Sequence, residues 1–246
     1  MASAAVPILV FDELDSTNAE ARRRAEAGEA GPLWIVAERQ TAGRGRRGRA
    51  WETAEGNLAA TFLWRSDRPP AELAQLSFVA ALAAGDMIAA FVPAALVTLK
   101  WPNDPLVAGL KAGGILLESG QADGATWVAV GIGINLAQAP VAAERPATSL
   151  AAHRLAGAPP RLEATERLAA AFDHWLGVWR QQGFAPVAEA WTDRAHGLGQ
   201  ACVARLPAET VEGIAEGLDP DGALRLRLPD GMLRRITAGD VYFGGA

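Results

Sequence analysis

The chain has 246 residues, half of them hydrophobic, which is enough for one large folded domain and a small one around a sizeable core. Its formal net charge of -5 argues against a protein whose whole surface binds nucleic acid, although it leaves room for a local basic loop. The single cysteine, Cys202, excludes an internal disulfide, and no secretion signal opens the chain, so a cytoplasmic location is expected. The longest apolar region, residues 78–99, is interrupted by Asp86 and Pro93 and predicts a buried helix and strand rather than a membrane span.

Apolar periodicity predicts alternating strands and helices up to about residue 195. The predicted strands cover residues 6–11, 33–38, 58–64, 97–101, 114–119 and 126–131, and the predicted helices cover 21–27, 71–90, 163–182 and 186–194. Thr17 and Glu20 have the spacing of a capping box at the first helix, and Asp123-Gly124 predicts a hairpin. The fold class expected from this order is α+β, with a mixed β-sheet and helices packed on one face.

The C-terminal part has a different pattern of short strands. They are predicted at 202–206, 209–216, 223–228 and 233–237, with turns at Asp221-Gly222 and Asp230-Gly231. This predicts a catalytic domain over residues 1–195 and a small β-barrel over 196–246. Because about fifty residues bury little core by themselves, we expect the barrel to pack on the larger domain through Leu206, Leu218 and Phe243.

The chain contains two lysines, Lys100 and Lys111, against 21 arginines. A compact ammonium in an arginine-rich chain suggests positions where a planar guanidinium does not fit, and chance within an Ala/Arg-rich composition is the alternative that the count alone leaves open. Lys100 opens the motif KWPND, in which Asp104 is of interest beside it, although Asn103 and Asp104 after a proline are also typical of a turn. Lys111 and Asp104 can line one pocket if residues 105–110 form a tight connection.

A loop with the sequence GRGRRGR at residues 43–49 lies between two predicted strands, with Trp51 just behind it. Glycines let the backbone approach a ligand, and arginines offer paired donors to phosphate oxygens, so we expect a polyanionic ligand. A solvated charge run, a nucleic-acid patch and a disordered arginine–glycine segment are the alternatives that this loop alone leaves open. It matches neither a P-loop nor the dinucleotide fingerprint.

Two further glycine motifs are candidates for the wall of a pocket. Gly113-Gly114 follows Lys111 and would let a flat ligand lie on the backbone, and GIGIN at residues 131–135 ends in an amide suited to the edge of a base or to a structural turn. The three histidines have no paired spacing, so no metal site is expected, and no nucleophile motif is present. Catalysis should therefore be electrostatic and positional.

Taken together, the motifs identify a family. The Ser16-Thr17-Asn18 corner, Gln40, the arginine loop with Trp51, KWPND, KAGGIL at 111–116 and GIGIN follow one another over nearly the whole chain. In this order they resemble the biotin protein ligases, or biotin-[acetyl-CoA carboxylase] ligases. The resemblance implies a class II synthetase-like catalytic domain and an SH3-like barrel. It also implies that biotin reacts with MgATP to give biotinyl-5'-AMP, from which biotin passes to a lysine of a biotin carboxyl carrier protein.

The resemblance assigns roles position by position. The biotin-binding residues would be Ser16, Thr17, Asn18, Gln40, Arg44, Gly45, Arg46, Lys111, Gly113 and Gly114. The nucleotide-binding residues would be Arg47, Arg49, Trp51, Lys100, Asn103, Gly131 and Asn135. The catalytic residues would be Lys111, Arg46, Lys100 and Asp104, and Asp104 either orients Mg²⁺ or receives the proton of the incoming amine.

Further expectations concern the partners of the protein and the alternative functions. Because the catalytic pattern begins at Asp12, we expect no N-terminal DNA-binding domain and no repressor activity, and neither nucleic acid nor a membrane as partner. An exposed strand of the central sheet leaves a homodimer open. A lipoate–protein ligase is the nearest enzymatic alternative, and the arginine loop followed by Trp51 argues against it. A nucleic-acid-binding module is the non-enzymatic alternative, and the acidic net charge argues against it.

Overall fold

The computed structural model describes residues 6–122, 124–140 and 146–244. The α-helices are α1 Thr17–Glu26, α2 Pro70–Leu73, α3 Leu76–Ala89, α4 Arg161–Gln182 and α5 Ala185–Thr192. The strands of the larger part are β1 Ile8–Leu14, β2 Leu33–Gln40, β3 Leu58–Ser66, β4 Val97–Lys100, β5 Asp104–Val107, β6 Leu110–Lys111, β7 Gly113–Ala122 and β8 Ala125–Ile134. The C-terminal strands are β9 Ala201–Arg205, β10 Thr210–Leu218, β11 Leu224–Arg227, β12 Leu233–Ile236 and β13 Asp240–Phe243.

A five-stranded sheet in the order β1-β2-β3-β8-β7 forms the centre of the larger part. β1 and β2 are parallel, and the other neighbours are antiparallel, so the predicted mixed sheet is confirmed. Alternate residues of each strand face opposite sides, and the apolar side chains of β2, β3 and β8 accordingly fall into two separate clusters.

The long helices α3 and α4 lie on one face of this sheet, as predicted, and pack against each other. Three aromatic rings fill the layer between sheet and helices: Trp34 lies 5.3 Å from both Phe62 and Phe172, centroid to centroid. The shorter α1 lies on the opposite face, because Ala21 and Ala25, four residues apart, form a small apolar stripe that packs on that side of the sheet.

The segment Pro70–Ala89 is long and apolar enough to cross a membrane by length and composition, but 67% of it is buried inside the fold. Its apolar character is explained by packing on three sides, against the central sheet, α4 and α5. A helix that is hydrophobic nearly all round is typical of a protein core.

Local predictions differ from the structure at several points. The single helix predicted over residues 71–90 is divided into α2 and α3. The capping box is wrong: Ser16 is the N-cap residue without a side-chain cap, Thr17 is already helical, and Glu20 pairs with Arg23 and Arg24. The predictions also missed β5, β6 and β13, which are two to four residues long. Of the predicted turn at 123–124, residue 123 lies outside the described residues, but β7 and β8 pair up to Ala122 and Ala125.

The C-terminal strands form an antiparallel sheet in the order β12-β11-β10-β9-β13. Leu206, Leu218 and Phe243 pack against the large hydrophobic cluster, which has members in both parts of the chain, so their contact with the larger part stays a prediction. The indole of Trp101 donates to the carbonyl of Gly222 over 3.1 Å and joins the two parts. One apolar cluster thus runs through both parts of the chain. The boundary between residues 195 and 196 stays a prediction.

Candidate active site

A cleft of about 380 Å³ opens on the face of the central sheet that carries α1. Fifteen of the residues predicted for the site line it: Ser16, Thr17, Asn18, Gln40, Arg44, Gly45, Arg46, Arg49, Trp51, Asn103, Asp104, Lys111, Gly114, Gly131 and Asn135. Arg47, Lys100 and Gly113 do not line it. The helices α3 and α4 cover the other face of the sheet. On this face α1 leaves part of β7 and β8 uncovered, and that part lines the cleft.

Both lysines pair with one carboxylate. Lys100 Nζ lies 3.1 Å from Asp104 Oδ2, and Lys111 Nζ lies 2.6 Å from Asp104 Oδ1. The small sheet β4-β5-β6 creates this geometry, since Lys100 is the register partner of Asp104. Residues 105–110 form the tight connection required by the sequence argument, with positive φ at Ala108 and Gly109.

The two ammonium groups keep the carboxylate charged. Burial alone would raise the pKa of Asp104, but the charges of Lys111 and Lys100 outweigh it and hold the pKa below its usual value. The Asp104 side chain is only 4% exposed, whereas that of Lys111 is 28% exposed. Asp104 is therefore a buried anchor, and of the two lysines it is Lys111 that lines the cleft.

Three arginines of the loop converge on the C-terminal sheet. Arg49 Nη2 lies 2.7 Å and Arg47 Nη1 lies 3.5 Å from Asp240 Oδ2. Arg46 donates to Asn103 Oδ1 and to the carbonyl of Gly239, both over 3.1 Å, and burial lowers its pKa below the ordinary value. Asp240, at the start of β13, lines the cleft but was absent from the predicted site, because nothing in the local sequence separates it from a turn residue.

The opposite end of the cleft is a hydrogen-bonded corner at the start of α1. The side-chain oxygen of Gln40 accepts from the backbone N–H of Thr17 over 2.8 Å, and Thr61 Oγ1 donates to Asn18 Oδ1 over 2.7 Å. Asn18 Nδ2 donates to Glu118 Oε2 over 2.7 Å. Sequence reasoning missed Thr61 and Glu118; a signal was present for Glu118, which lies two residues beyond Leu116 on the same face of β7.

The predicted glycine wall is occupied by neighbouring side chains. A Cβ at Gly131 would lie 2.1 Å from Asn18 Oδ1, and one at Gly133 would lie 2.5 Å from the Trp51 ring. Lys111 Nζ lies 5.7 Å from the centre of that ring, in the range of a cation–π contact. The glycines therefore let Trp51 lie flat on the sheet beside Lys111.

Asn135 directly follows β8 and has a fixed amide. Its Nδ2 donates to the carbonyl of Thr148 over 3.0 Å, while its buried Oδ1 has no hydrogen-bond partner among the described residues. A buried, unsatisfied acceptor beside a cleft is suited to a donor on a ligand, such as an exocyclic amine.

Within residues 6–122, 124–140 and 146–244, no three His, Cys, Asp or Glu side chains lie close enough to hold a metal ion. The two aspartates that line the cleft, Asp104 and Asp240, are both paired with cationic side chains. Mg²⁺ is commonly bound by one or two carboxylates together with substrate phosphates. These residues are therefore compatible with an ion that arrives with a nucleotide.

The cleft combines fixed cations, a flat aromatic surface and an amide acceptor, and these features suit the binding and activation of a phosphate-bearing ligand. The chain belongs to the biotin/lipoate A/B protein ligase family, whose model matches residues 10–135. The model of the biotin protein ligase C terminal domain matches residues 197–244.

Individual relatives agree with this assignment. The chain is 46% identical over 238 residues to a biotin–[acetyl-CoA-carboxylase] ligase of Paracoccus denitrificans, covering 94% of this chain and 98% of the relative. It is 36% identical to the ligase of the same name from Mycobacterium tuberculosis, over 94% of this chain and 87% of the relative. Among solved structures, the biotin protein ligase of Aquifex aeolicus in complex with biotin and ATP superposes with a TM-score of 0.83 at 26% identity, over 97% of this chain and 99% of the other.

Proposed function

We propose that this protein is an ATP-dependent, AMP-forming ligase that converts biotin to biotinyl-5'-AMP and transfers biotin to a lysine of a biotin carboxyl carrier protein. The observation that carries the proposal is the convergence of Lys111, Asp104 and Arg46 on one cleft, in a chain of this family. The relatives' names and the biotin–ATP complex of the Aquifex aeolicus protein support the choice of biotin over lipoate.

In the first half-reaction, an oxygen of the biotin carboxylate forms a bond to the α-phosphorus of ATP, and the bond from that phosphorus to the bridging oxygen breaks to release pyrophosphate. Two anions must approach each other. Lys111, which lines the cleft, would neutralise the carboxylate and the α-phosphate together, and Arg46 and Arg49, which line the same cleft, would neutralise the charge that develops on the leaving pyrophosphate. Such preorganised cations lower the barrier without a protein nucleophile.

In the second half-reaction, the lysine amine of the carrier attacks the acyl carbon, the bond between acyl carbon and phosphate oxygen breaks, and AMP leaves. Asp104 is a poor acceptor for the amine proton because its pKa is held below the usual value. We assign Asp104 instead to positioning Lys111. Lys100, which pairs with the other oxygen of Asp104 and does not line the cleft, is assigned to holding Asp104 in place. Mg²⁺, when bound, supplies charge neutralisation on the nucleotide phosphates.

The two ends of the cleft suggest where each substrate lies. The corner of Thr17, Asn18 and Gln40 offers neutral donors and acceptors suited to the ureido ring of biotin. Trp51 and Asn135 offer a flat surface and an acceptor suited to adenine. The cytoplasmic location, the homodimer and the absence of nucleic-acid binding stay predictions.

The test is release of pyrophosphate that requires both biotin and ATP, followed by a biotin mass increment on one lysine of a purified carrier domain. Lipoate in place of biotin is the matched control and should give little release. Pyrophosphate release with lipoate and ATP, but not with biotin and ATP, would establish the lipoate–protein ligase instead. Failure of both, with salt-sensitive binding to DNA or RNA, would favour the nucleic-acid-binding alternative.

A further inference from the structure

The segment of residues 146–150 connects two parts of the cleft wall that have separate roles in the chemistry above. The N–H of Lys111 donates to this segment over 3.1 Å, and the carbonyl of Lys111 accepts from it over 2.9 Å. On the other side, the N–H of Leu150 donates to the carbonyl of Asn135 over 2.8 Å. The segment therefore fixes the backbones of Lys111 and Asn135 relative to each other.

Thr148 is the centre of this segment, because each of its polar groups bonds to a different element. Its N–H donates to β6, its carbonyl accepts from Asn135 Nδ2 over 3.0 Å, and its hydroxyl oxygen lies within hydrogen-bond distance, 2.9 Å, of His153 Nε2. Thr148 is buried, whereas His153, the last residue of a short 3-10 helix, is half-buried and does not line the cleft. His153 therefore acts on the cleft only through Thr148.

The carbonyl of Thr148 decides which end of the Asn135 amide is left for the cleft. An amide side chain has an acceptor at one end and two donors at the other, and only the donor end can bond to a carbonyl. Because Thr148 holds Nδ2, the free end is Oδ1, which is buried and has no hydrogen-bond partner among the described residues. Rotation of the amide by half a turn would set two oxygens against each other and leave the buried carbonyl of Thr148 unpaired, which is costly.

This orientation discriminates between purine bases. An acceptor at Asn135 matches the exocyclic amine of adenine, whereas hypoxanthine has a carbonyl oxygen at the same position of the ring. A site with a buried polar group rejects a ligand that leaves this group unpaired. A shift of Lys111, in contrast, would affect both nucleotides alike, because the phosphates of the two are identical.

We propose that His153 and Thr148 are positioning residues that set the nucleotide preference of this protein: they keep the Thr148 carbonyl against Asn135 Nδ2, so that an acceptor is turned toward the base and an adenine nucleotide is favoured over a hypoxanthine nucleotide. This rests on the proposed function for the binding of a nucleotide beside Asn135. The hydrogen bonds of the segment do not depend on it.

Biotin-dependent pyrophosphate release with ATP and with inosine triphosphate tests the proposal. The wild type should prefer ATP by about tenfold or more in kcat/KM, the scale of one buried hydrogen bond. His153→Phe removes the bond to Thr148 and should lower this preference by about two- to tenfold, mainly through the KM for ATP. His153→Gln keeps a hydrogen-bonding group and should retain most of it. The matched control is His174→Phe on α4, at an exposed residue that does not line the cleft, and it should leave the preference unchanged.

Hydrogen exchange of the ligand-free protein gives a second readout. The amides of Thr148 and Leu150 should exchange faster in His153→Phe than in the wild type, and His153→Gln should restore slow exchange. Unchanged exchange in His153→Phe overturns the proposal.

The kinetic outcomes separate this inference from the proposed function. An ATP preference in His153→Phe equal to that of the wild type, or equal losses with both nucleotides, overturns the role of His153. Pyrophosphate release by the wild type without a preference for ATP also overturns it and leaves the proposed function intact. Absence of release from the wild type with either nucleotide counts against the proposed function, and the exchange rates then still decide whether His153 holds the segment.

Discussion

Arg49 and Asp240, which are 191 positions apart in the chain, meet at 2.7 Å between Nη2 and Oδ2. Arg47 and Arg46 approach the same carboxylate, at 3.5 and 3.9 Å. The C-terminal sheet thereby contributes Asp240 to the lining of the cleft and holds the loop that carries the cations.

Replacement of Asp240 by Asn should loosen this attachment, since the amide cannot satisfy three guanidinium groups. A lost charge-assisted contact of about 1.5 kcal/mol corresponds to roughly tenfold faster tryptic cleavage of the loop. The KM for ATP should rise by a similar factor. Asp219→Asn, in the same domain and paired with Arg235 away from the cleft, is the control and should change neither quantity.

Residues 41–50 should become protected from trypsin when biotin and ATP are both present, because the arginines then contact the adenylate and the loop excludes water from it. The measurement compares digestion rates with no ligand, with biotin alone and with both. Identical rates in all three would show that the loop does not close on the ligand.

Lys111→Arg should abolish adenylate formation although the charge is kept. The ammonium of Lys111 fits between Asp104 and the Trp51 ring, and a planar guanidinium places its donors elsewhere. We expect pyrophosphate release to fall by about 100-fold or more, the scale of losing one preorganised donor. Arg167→Lys on α4, which makes the opposite exchange at a residue that does not line the cleft, is the control. Release at the wild-type rate from Lys111→Arg would contradict the role given to this lysine.

Gly133→Ala should displace Trp51, because the added Cβ would lie 2.5 Å from its ring. With the flat surface disturbed, the KM for ATP should increase at least about tenfold, since base stacking on an aromatic ring contributes about 1–3 kcal/mol. Gly177→Ala in α4 is the matched control, because its Cβ would meet no atom closer than 4.0 Å. Unchanged ATP affinity in Gly133→Ala would show that Trp51 does not carry the adenine.

Asp104→Asn should destabilise the fold near neutral pH by about 3 kcal/mol, since it leaves two partly buried ammonium groups without their counter-ion. The folded-state pKa of Asp104 lies below its unfolded value, so its contribution is present above the unfolded pKa and is lost as pH falls through the folded pKa. Urea unfolding of wild type and variant should therefore differ most at pH 6–7 and converge below the ordinary aspartate range. A difference that stays constant down to strong acid would rule out the ion pairs as its cause.

Much of the fold could be predicted because its signals are local. The strands β2, β3, β7 and β8 have runs of apolar residues, and α3 and α4 are long, so periodicity identifies them within a few residues. The strands β5 and β6 were missed because residues 103–110, after Pro102, were interpreted as a turn and a tight connection. Together with β13, they form where a neighbouring strand supplies hydrogen bonds. The capping box failed because Thr17 finds better partners in Gln40 and Thr61 than in its own helix.

The sequence by itself determined which residues were candidates for the site, because two lysines among many arginines and glycines in fixed motifs are visible without any structure. Only the tertiary structure decided how they are paired. Lys100 lies behind Asp104 and Lys111 faces the cleft, while Asp240 and Glu118 hold opposite ends of the arginine loop. Pairing of this kind depends on distances between segments that are far apart in the chain, and these distances are set by how the sheets pack, which no local pattern encodes.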